Sequence, residues 1–384
     1  MAQFPAILIG GPPHSGKSVL TYSLTHALRQ RGIQHYVIRA APDGEGDWSN
    51  EIDQKLVREL RYKGDFTAAF TDFVCQSLRN RHLPLLVDMG GRPTPAQERI
   101  FDYCTHAILL TPEGTSRAYW RELSARHALP RLADLTSALQ DKDIIIKSTP
   151  VLEGVLTGLE RRHTASGPVF EALVEKVVLL FDYEPRALFR IHERLCKAEL
   201  VIDLLRLART FDVPRVGQKP QWKPHHLSAI LNYLPAATPL GLYGRGTNWI
   251  YTAVSLLTLP APFSQFDPRL GWVQAQTLPF GESSTQPLQI RQHPLEDGVY
   301  LDCRILQTYL SYDQLPQLLV PTLPSNRGVI LGGRLPYWLY TSLVRTYQNH
   351  PWIAVYQPQL QGAIVVYSNT SAYTLGDCLQ GIGR

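Results

Sequence analysis

The chain has 384 residues, 44% of them hydrophobic and 18% charged, which suits a soluble globular protein with two or three domains. No apolar run approaches a membrane span, and the start MAQFPAILIGG lacks the basic opening and long apolar segment of a signal peptide, so a cytoplasmic location is expected. The five scattered cysteines (Cys75, Cys104, Cys196, Cys303 and Cys378) form no C-x-x-C pair and read as reduced structural thiols, and the mild net charge of +5 permits an anionic partner without indicating one, so neither a membrane nor duplex DNA is expected as a partner.

The first element is a buried-strand run, Ala6 to Ile9, entering Gly11-x4-Gly16-Lys17-Ser18, with a helix-like segment from Val19 to Gln30 behind it. Strand, glycine loop and helix in that order are what phosphate binding requires. Glycines let backbone N–H groups close around phosphates, and the helix N-terminus adds partial positive charge. Gly11, Ser15 and Gly16 would form the cradle, Lys17 would reach the β- and γ-phosphates, and Ser18 would ligate magnesium.

His35 to Ala40 and Leu83 to Gly91 read as parallel core strands, and Asp88 stands where a Walker-B carboxylate would hold the metal. The runs HAILL (His106 to Leu110) and DIIIK (Asp143 to Lys147) complete an expected five-stranded sheet. Over about the first 150 residues this resembles the P-loop kinase and ATPase superfamily, which implies ATP and Mg²⁺ as ligands. After the second strand, Asp43, Glu45 and Asp47 either accept a proton or organise a second metal, or form a solvated acidic turn. Arg117 and Arg121 share a helix face, where they either close over the phosphates or are simply solvated.

From Gly167 to about Asp212, apolar residues recur at three- and four-residue spacing, as in a packed pair of amphipathic helices that bridges domains or forms a dimer surface. VPRVGQKPQWKP then reads as a proline-rich linker. The expected division is a nucleotide-binding domain over 1–165, a helical connector and linker over 166–220, and a tandem module over 221–384, with repeats at about 221–280 and 290–384.

The tandem module carries one pattern twice. GRGTNWIYTAV from Gly244 and GRLPYWLYTSL from Gly333 share Gly, Arg, Trp, Tyr and Thr at identical offsets. Each is followed by an aromatic and x-Pro-x-Leu: FDPRLGW from Phe266, and YQPQLQG from Tyr356, in which Gln357 and Gln359 replace Asp267 and Arg269. The pattern in step over both halves points to duplication. In each copy a strand ends at glycine, where the missing Cβ lets another group approach, and arginine follows beside a helix N-terminus. That makes Arg245 and Arg334 candidate anion-binding residues.

The stretch from RGVILGGRLPYW to GAIVVYSN resembles the CRISPR-associated ring nucleases of type III systems, in the form fused to a P-loop ATPase-like domain. The match covers about 80 residues of the second copy and a shorter span of the first. The resemblance implies small α/β, ferredoxin-like repeats that bind and linearise cyclic tetra-adenylate, depend on manganese, and assemble from dimers that complete a shared site. Asp267 and Arg269 match the family's charged turn, with Asp267 assisting metal or nucleophile and Arg269 the phosphate charge. Arg245, Arg334, Gln357 and Gln359 would hold the ring. The family also places a histidine near the end of the preceding helix, where this chain has the region of Thr258 and Gln348; His350 is the nearest substitute.

The sequence therefore implies an α/β protein with a P-loop NTPase-like parallel-sheet domain, a helical connector and tandem ring-nuclease-like repeats. Three activities fit: ATP-linked cleavage of a cyclic oligoadenylate by a homo-oligomer, reception of the ring without cleavage, or phosphoryl transfer to a nucleotide or oligonucleotide. The intact Asp-Pro-Arg favours the first, the missing histidine the second, and the acidic loop the third.

Overall fold

The N-terminal apolar run forms β1 (Ala6–Gly10), every residue of it buried. It lies in a seven-stranded sheet with β2 (Tyr36–Arg39), β3 (Leu85–Asp88), β4 (His106–Pro112), β5 (Arg131–Ala138), β6 (Ile144–Lys147) and β7 (Leu152–Thr157), in the order β2-β3-β1-β4-β5-β7-β6. This computed structural model describes residues 4–40, 68–115, 117–139, 142–160, 163–216, 219–282, 286–307 and 310–382. Two compact units result: residues 1–188 with 268–271, and residues 189–267 with 272–384. Among the described residues no helix is long and apolar enough to cross a membrane.

In the first unit the strands pair in parallel from β2 through β7, and only β6 joins antiparallel, on the outer side of β7. The sheet has two more strands than the sequence suggested. β5 hides behind its polar residues: Asp134 and Thr136 are buried in it and read as loop. DIIIK, expected as one of the five strands, forms the exposed edge of the sheet. Helices α1 (Lys17–Gln30), α2 (Ala68–Arg79), α3 (Pro95–Glu98) and α4 (Ala118–Arg126) follow in chain order, then α5 (Pro168–Phe181). α5 buries Val169, Leu173, Val174 and Val177 in one apolar cluster with Ile7, Ile9, Leu20 and Leu24, so this half of the expected connector is core of the first unit. Apolar residues three and four apart along the helix account for that packing.

The rest of the expected helical stretch changes type. α6 (Pro185–Glu193) is followed by β8 (Leu200–Asp203) and α7 (Leu204–Thr210), then by the short hairpin β9 (Arg215–Val216) and β10 (Lys219–Pro220) and by α8 (His226–Tyr233). Leu-Val-Ile is equally at home in a strand, and β8 finds a parallel partner in β11 (Leu240–Tyr243). With β12 (Phe263–Asp267) and β13 (Gly271–Gln274) these strands make a sheet in the order β13-β12-β11-β8.

A second sheet in the same unit orders β14 (Leu288–Pro294), β15 (Gly298–Ile305), β16 (Gly328–Gly333), β17 (Trp352–Gln357), β18 (Gly362–Ser368) and β19 (Cys378–Gln380). The repeat is visible as matched geometry. β8, β11 and β12 are parallel, as are β15, β16 and β17, with α9 (Asn248–Leu257) and α10 (Tyr337–Thr346) as crossovers at corresponding places. Asp203 is paired with Tyr243, the residue before Gly244, and Asp302 with Gly332, the residue before Gly333. The first copy therefore begins at about residue 200. α9 packs on α10 and on β17 and β18, while Thr341 of α10 donates to the Gln265 side chain of β12 at 2.9 Å, so each helix serves the other copy's sheet.

Candidate functional site

The glycine loop joins β1 to α1 as the spacing requires. A Cβ on Gly11 would collide with the Leu110 carbonyl oxygen, and Gly16 caps α1 at φ +88°, where a Cβ would meet Leu159 at 2.8 Å. Both positions need glycine for space as well as for backbone freedom. Lys17 is buried and donates Nζ to the Pro12 carbonyl at 2.7 Å. Burial lowers its pKa to about 8, against the opposing pull of the Asp88 carboxylate. Ser15 Oγ is enclosed without a hydrogen-bond partner.

The parallel register sets Asp88 beside Ile9 on one side and Arg39 on the other, so the carboxylate stands at the strand ends next to the loop. Arg39 donates Nη2 to Ser18 Oγ at 3.1 Å and lies 3.5 Å from Asp88 through Nε. The structure thus brings Lys17, Ser18 and Asp88 together and adds Arg39, whose only sequence signal was its place at the end of β2. An enclosed hydroxyl, a buried ammonium and a hydroxyl–carboxylate pair fit phosphates with a magnesium ion, which takes one or two protein ligands and completes its shell with phosphates and water. Asp43, Glu45 and Asp47 lie outside the described residues.

Arg117 and Arg121 meet the buried carboxylate of Asp134: Arg121 Nε is 2.6 Å from it, and Arg131 joins at 3.1 Å. Arg117 also donates to Thr136 Oγ1. Their shared helix face is occupied by this ion cluster.

The second unit gathers its candidate residues at the carboxyl ends of parallel strands. Gly244 and Gly333, ending β11 and β16, have φ +102° and +125°, and Arg245 and Arg334 follow each of them, both exposed. The repeat extends to hydrogen bonds: Tyr251 donates to the Gly244 carbonyl, and Tyr340 to the Gly333 carbonyl at 2.6 Å. The two turns adjoin. Tyr337 donates to the Gly246 carbonyl at 3.1 Å, and Asn248 Nδ2 to the Tyr356 carbonyl at 3.2 Å. Tyr337 and Asn248 stand at the same offset in the two copies, four residues past the glycine, and each reaches into the other copy.

Asp267 ends β12 beside β11. Burial raises the Tyr251 phenol, with smaller contributions from the Tyr337 phenol and the Asp267 charge. The turn then divides: Arg269 belongs to the first unit, where its guanidinium lies 4.9 Å from the Phe73 ring. In the second copy Gln357 Nε2 donates to Gln359 Oε1. His350 is elsewhere. It is buried, hydrogen-bonded through Nδ1 to the Arg327 carbonyl at 2.8 Å, and precedes β17, whereas Gln357 ends that strand. A strand of six residues spans about 20 Å, so the histidine and the Gly-Arg edge occupy opposite ends of the sheet.

Among the described residues no group of three or more His, Cys, Asp or Glu side chains is placed to hold a metal ion.

Residues 304–380 match the family Cas_csx3, described as CRISPR-associated protein. The matched stretch contains β16, α10, β17 and β18, and with them Arg334, Gln357 and Gln359. A protein of Aquifex aeolicus (strain VF5), described as uncharacterized, is 31% identical over 90 residues, which is 21% of this chain and 81% of the relative.

Proposed function

We propose, from the match of residues 304–380 to the CRISPR-associated Cas_csx3 family, that the chain binds cyclic tetra-adenylate at the Gly-Arg edge and cleaves it, with ATP held at the glycine loop. The observation that carries this reading is the reciprocal joining of the two turns through Tyr337 and Asn248. It sets two equivalent anion-binding turns side by side, and a ring of repeated phosphates offers matching charges to both. The glycines at positive φ leave the backbone open to approach. The guanidinium groups of Arg245 and Arg334 supply charge-assisted hydrogen bonds, and the N-termini of α9 and α10 add partial positive charge.

Within that arrangement Asp267 accepts the proton of the attacking hydroxyl as its oxygen bonds to phosphorus, the ring's ester oxygen leaves and takes a proton from water, and Arg269 stabilises the phosphate charge. Gln357 and Gln359 hold the ring by amide hydrogen bonds. At the glycine loop Lys17 binds the nucleotide phosphates, Ser15 donates its enclosed hydroxyl, and Ser18 with Asp88 would hold magnesium, which neutralises phosphate charge when bound. Homo-oligomer assembly belongs to the same reading, because His350 reaches the Gly-Arg edge only if another copy delivers it.

A second reading, a receptor that binds the ring without cutting it, is favoured by the Gln357–Gln359 hydrogen bond that stands where the family has a charged pair. Incubating the protein with cyclic tetra-adenylate, with and without ATP and Mn²⁺, separates the two. Linear product supports cleavage, tight binding with intact ring supports the receptor, and no binding removes both.

A further inference from the structure

Arg39 stands on the two side chains that the glycine loop and β3 offer to a metal ion. Its Nη2 donates to Ser18 Oγ at 3.1 Å, and its Nε lies 3.5 Å from Asp88 Oδ2. The backbone is fixed in that place. Arg39 is paired with Asp88 across β2 and β3, and the following amide, of Ala40, donates to the Asp88 carbonyl at 2.9 Å. The Asp88 side chain is 5% exposed and that of Arg39 19%. A carboxylate so enclosed needs a positive neighbour, and a guanidinium that spans hydroxyl and carboxylate supplies the charge a divalent cation would bring.

We propose that Arg39 is a built-in counter-cation, which closes the metal position to free divalent ions and gives it up only to a metal that arrives with nucleotide. The inference rests on the reading of Ser18 and Asp88 as magnesium ligands. One carboxylate and one hydroxyl are too few for magnesium to displace a guanidinium already in contact with both. Magnesium gives up its waters reluctantly and takes its further ligands at such sites from phosphates.

Nucleotide changes that balance twice. Its phosphate oxygens complete the shell of the metal, and they offer the released guanidinium an anion to bond. The strand pairing holds the Arg39 backbone, so the exchange needs only a turn about side-chain bonds. The site lies wholly in the first unit and does not depend on the ring-binding reading.

The test is calorimetric unfolding of the full chain in chelator, with Mg²⁺ or Mn²⁺ alone, and with Mg²⁺ and ATP together. Wild-type Tm should ignore either metal alone and rise with Mg²⁺ and ATP. Arg39→Met leaves the enclosed Asp88 without its guanidinium and should lower Tm in chelator. Metal alone, at tenfold its Kd, should then raise the Tm of Arg39→Met by about 3–6 °C. Adding Asp88→Asn to that variant should abolish the response, which puts the ion on the carboxylate. The proposal is overturned by a wild type that responds to metal alone as Arg39→Met does, by an Arg39→Met indifferent to metal, or by a response that survives Asp88→Asn. Should Arg39→Met fail to fold, Arg39→Lys decides. Its single ammonium cannot bond both partners, so metal alone should raise its Tm and not that of the wild type, and equal indifference overturns the proposal. The nucleotide reading fails separately: a wild type indifferent to Mg²⁺ and ATP, beside an Arg39→Met that responds to metal alone, would keep the counter-cation and remove the nucleotide.

Discussion

Arg345 of the second copy donates Nη1 to Thr258 Oγ1 of the first at 2.9 Å, and also to the Ser255 carbonyl, while Nη2 reaches the Ala261 carbonyl at 2.9 Å. Thr258 stands near the place where the ring-nuclease family carries its histidine. In this chain that helix end is tied to the second copy by a buried guanidinium. The Ser255 carbonyl also accepts from Thr258 Oγ1 at 2.8 Å, and arginine is the side chain with enough N–H groups to serve three acceptors.

Arg345→Met should therefore destabilise the second unit by about 2–4 kcal/mol, because it removes three hydrogen bonds of a buried guanidinium and leaves the Ala261 carbonyl without that donor. Urea unfolding followed by tryptophan fluorescence reads this as a lower midpoint at similar slope. Arg345→Lys should recover only part of the loss, since one ammonium cannot span the three acceptors. A midpoint unchanged in Arg345→Met would remove the joint.

Lys17 gives a pH signature. Its folded pKa of about 8 lies below the ordinary 10.5. Between those values the unfolded chain binds more protons than the folded one, so this group's contribution to stability rises with pH across that window. Nucleotide phosphates favour the charged ammonium and reverse the preference. ATP affinity should consequently weaken above about pH 8, and binding there should take up a proton. Calorimetry at pH 8.5–9 in buffers of different ionisation heat measures that proton. Lys17→Met should lose most affinity and the buffer dependence together, and wild-type heats identical in all buffers would contradict the assignment.

Arg245→Ala and Arg334→Ala should each weaken cyclic tetra-adenylate binding by about 1.5–3 kcal/mol if each guanidinium makes a charge-assisted bond to phosphate. Added salt should weaken wild-type binding as well. Fluorescence anisotropy with a labelled ring measures both effects. If neither substitution changes affinity, the ring does not bind on this edge.

The glycine loop and the repeat were legible because each depends on residues that only one geometry tolerates. Gly11 and Gly16 are fixed by close approach and Gly244 and Gly333 by positive φ, so their spacing survives as a pattern. Arg39 was not legible, because nothing local marks it and its role comes from lying beside Asp88 across a strand pair. β5 was missed because the ion cluster on Asp134 and the burial of Thr136 make its sequence polar. β8 was absorbed into a helical pattern because four apolar and acidic residues between two helices carry no period of their own. The place of β6 was not legible either: three isoleucines look alike whether they lie inside a sheet or at its exposed edge.

The position of His350 yields the sharpest test of the catalytic reading. Because it stands at the far end of β17 from the Gly-Arg edge, it can meet Asp267 chemistry only when supplied by a different copy. Asp267→Asn keeps the shape of the side chain and removes the carboxylate, so it should abolish cleavage while sparing ring binding. His350→Ala should slow cleavage strongly, with some loss of stability from the missing bond to the Arg327 carbonyl. Mixed after co-expression, the two inactive variants should regain cleavage, because some assemblies pair an intact Asp267 with an intact His350. Gln357→Asn should leave the rate nearly unchanged. The readout is linear product from cyclic tetra-adenylate by chromatography with Mn²⁺ and ATP present. Full cleavage by His350→Ala, or no recovery on mixing, would end the composite site, and a wild type that binds the ring tightly yet leaves it intact would assign the chain to the receptor reading.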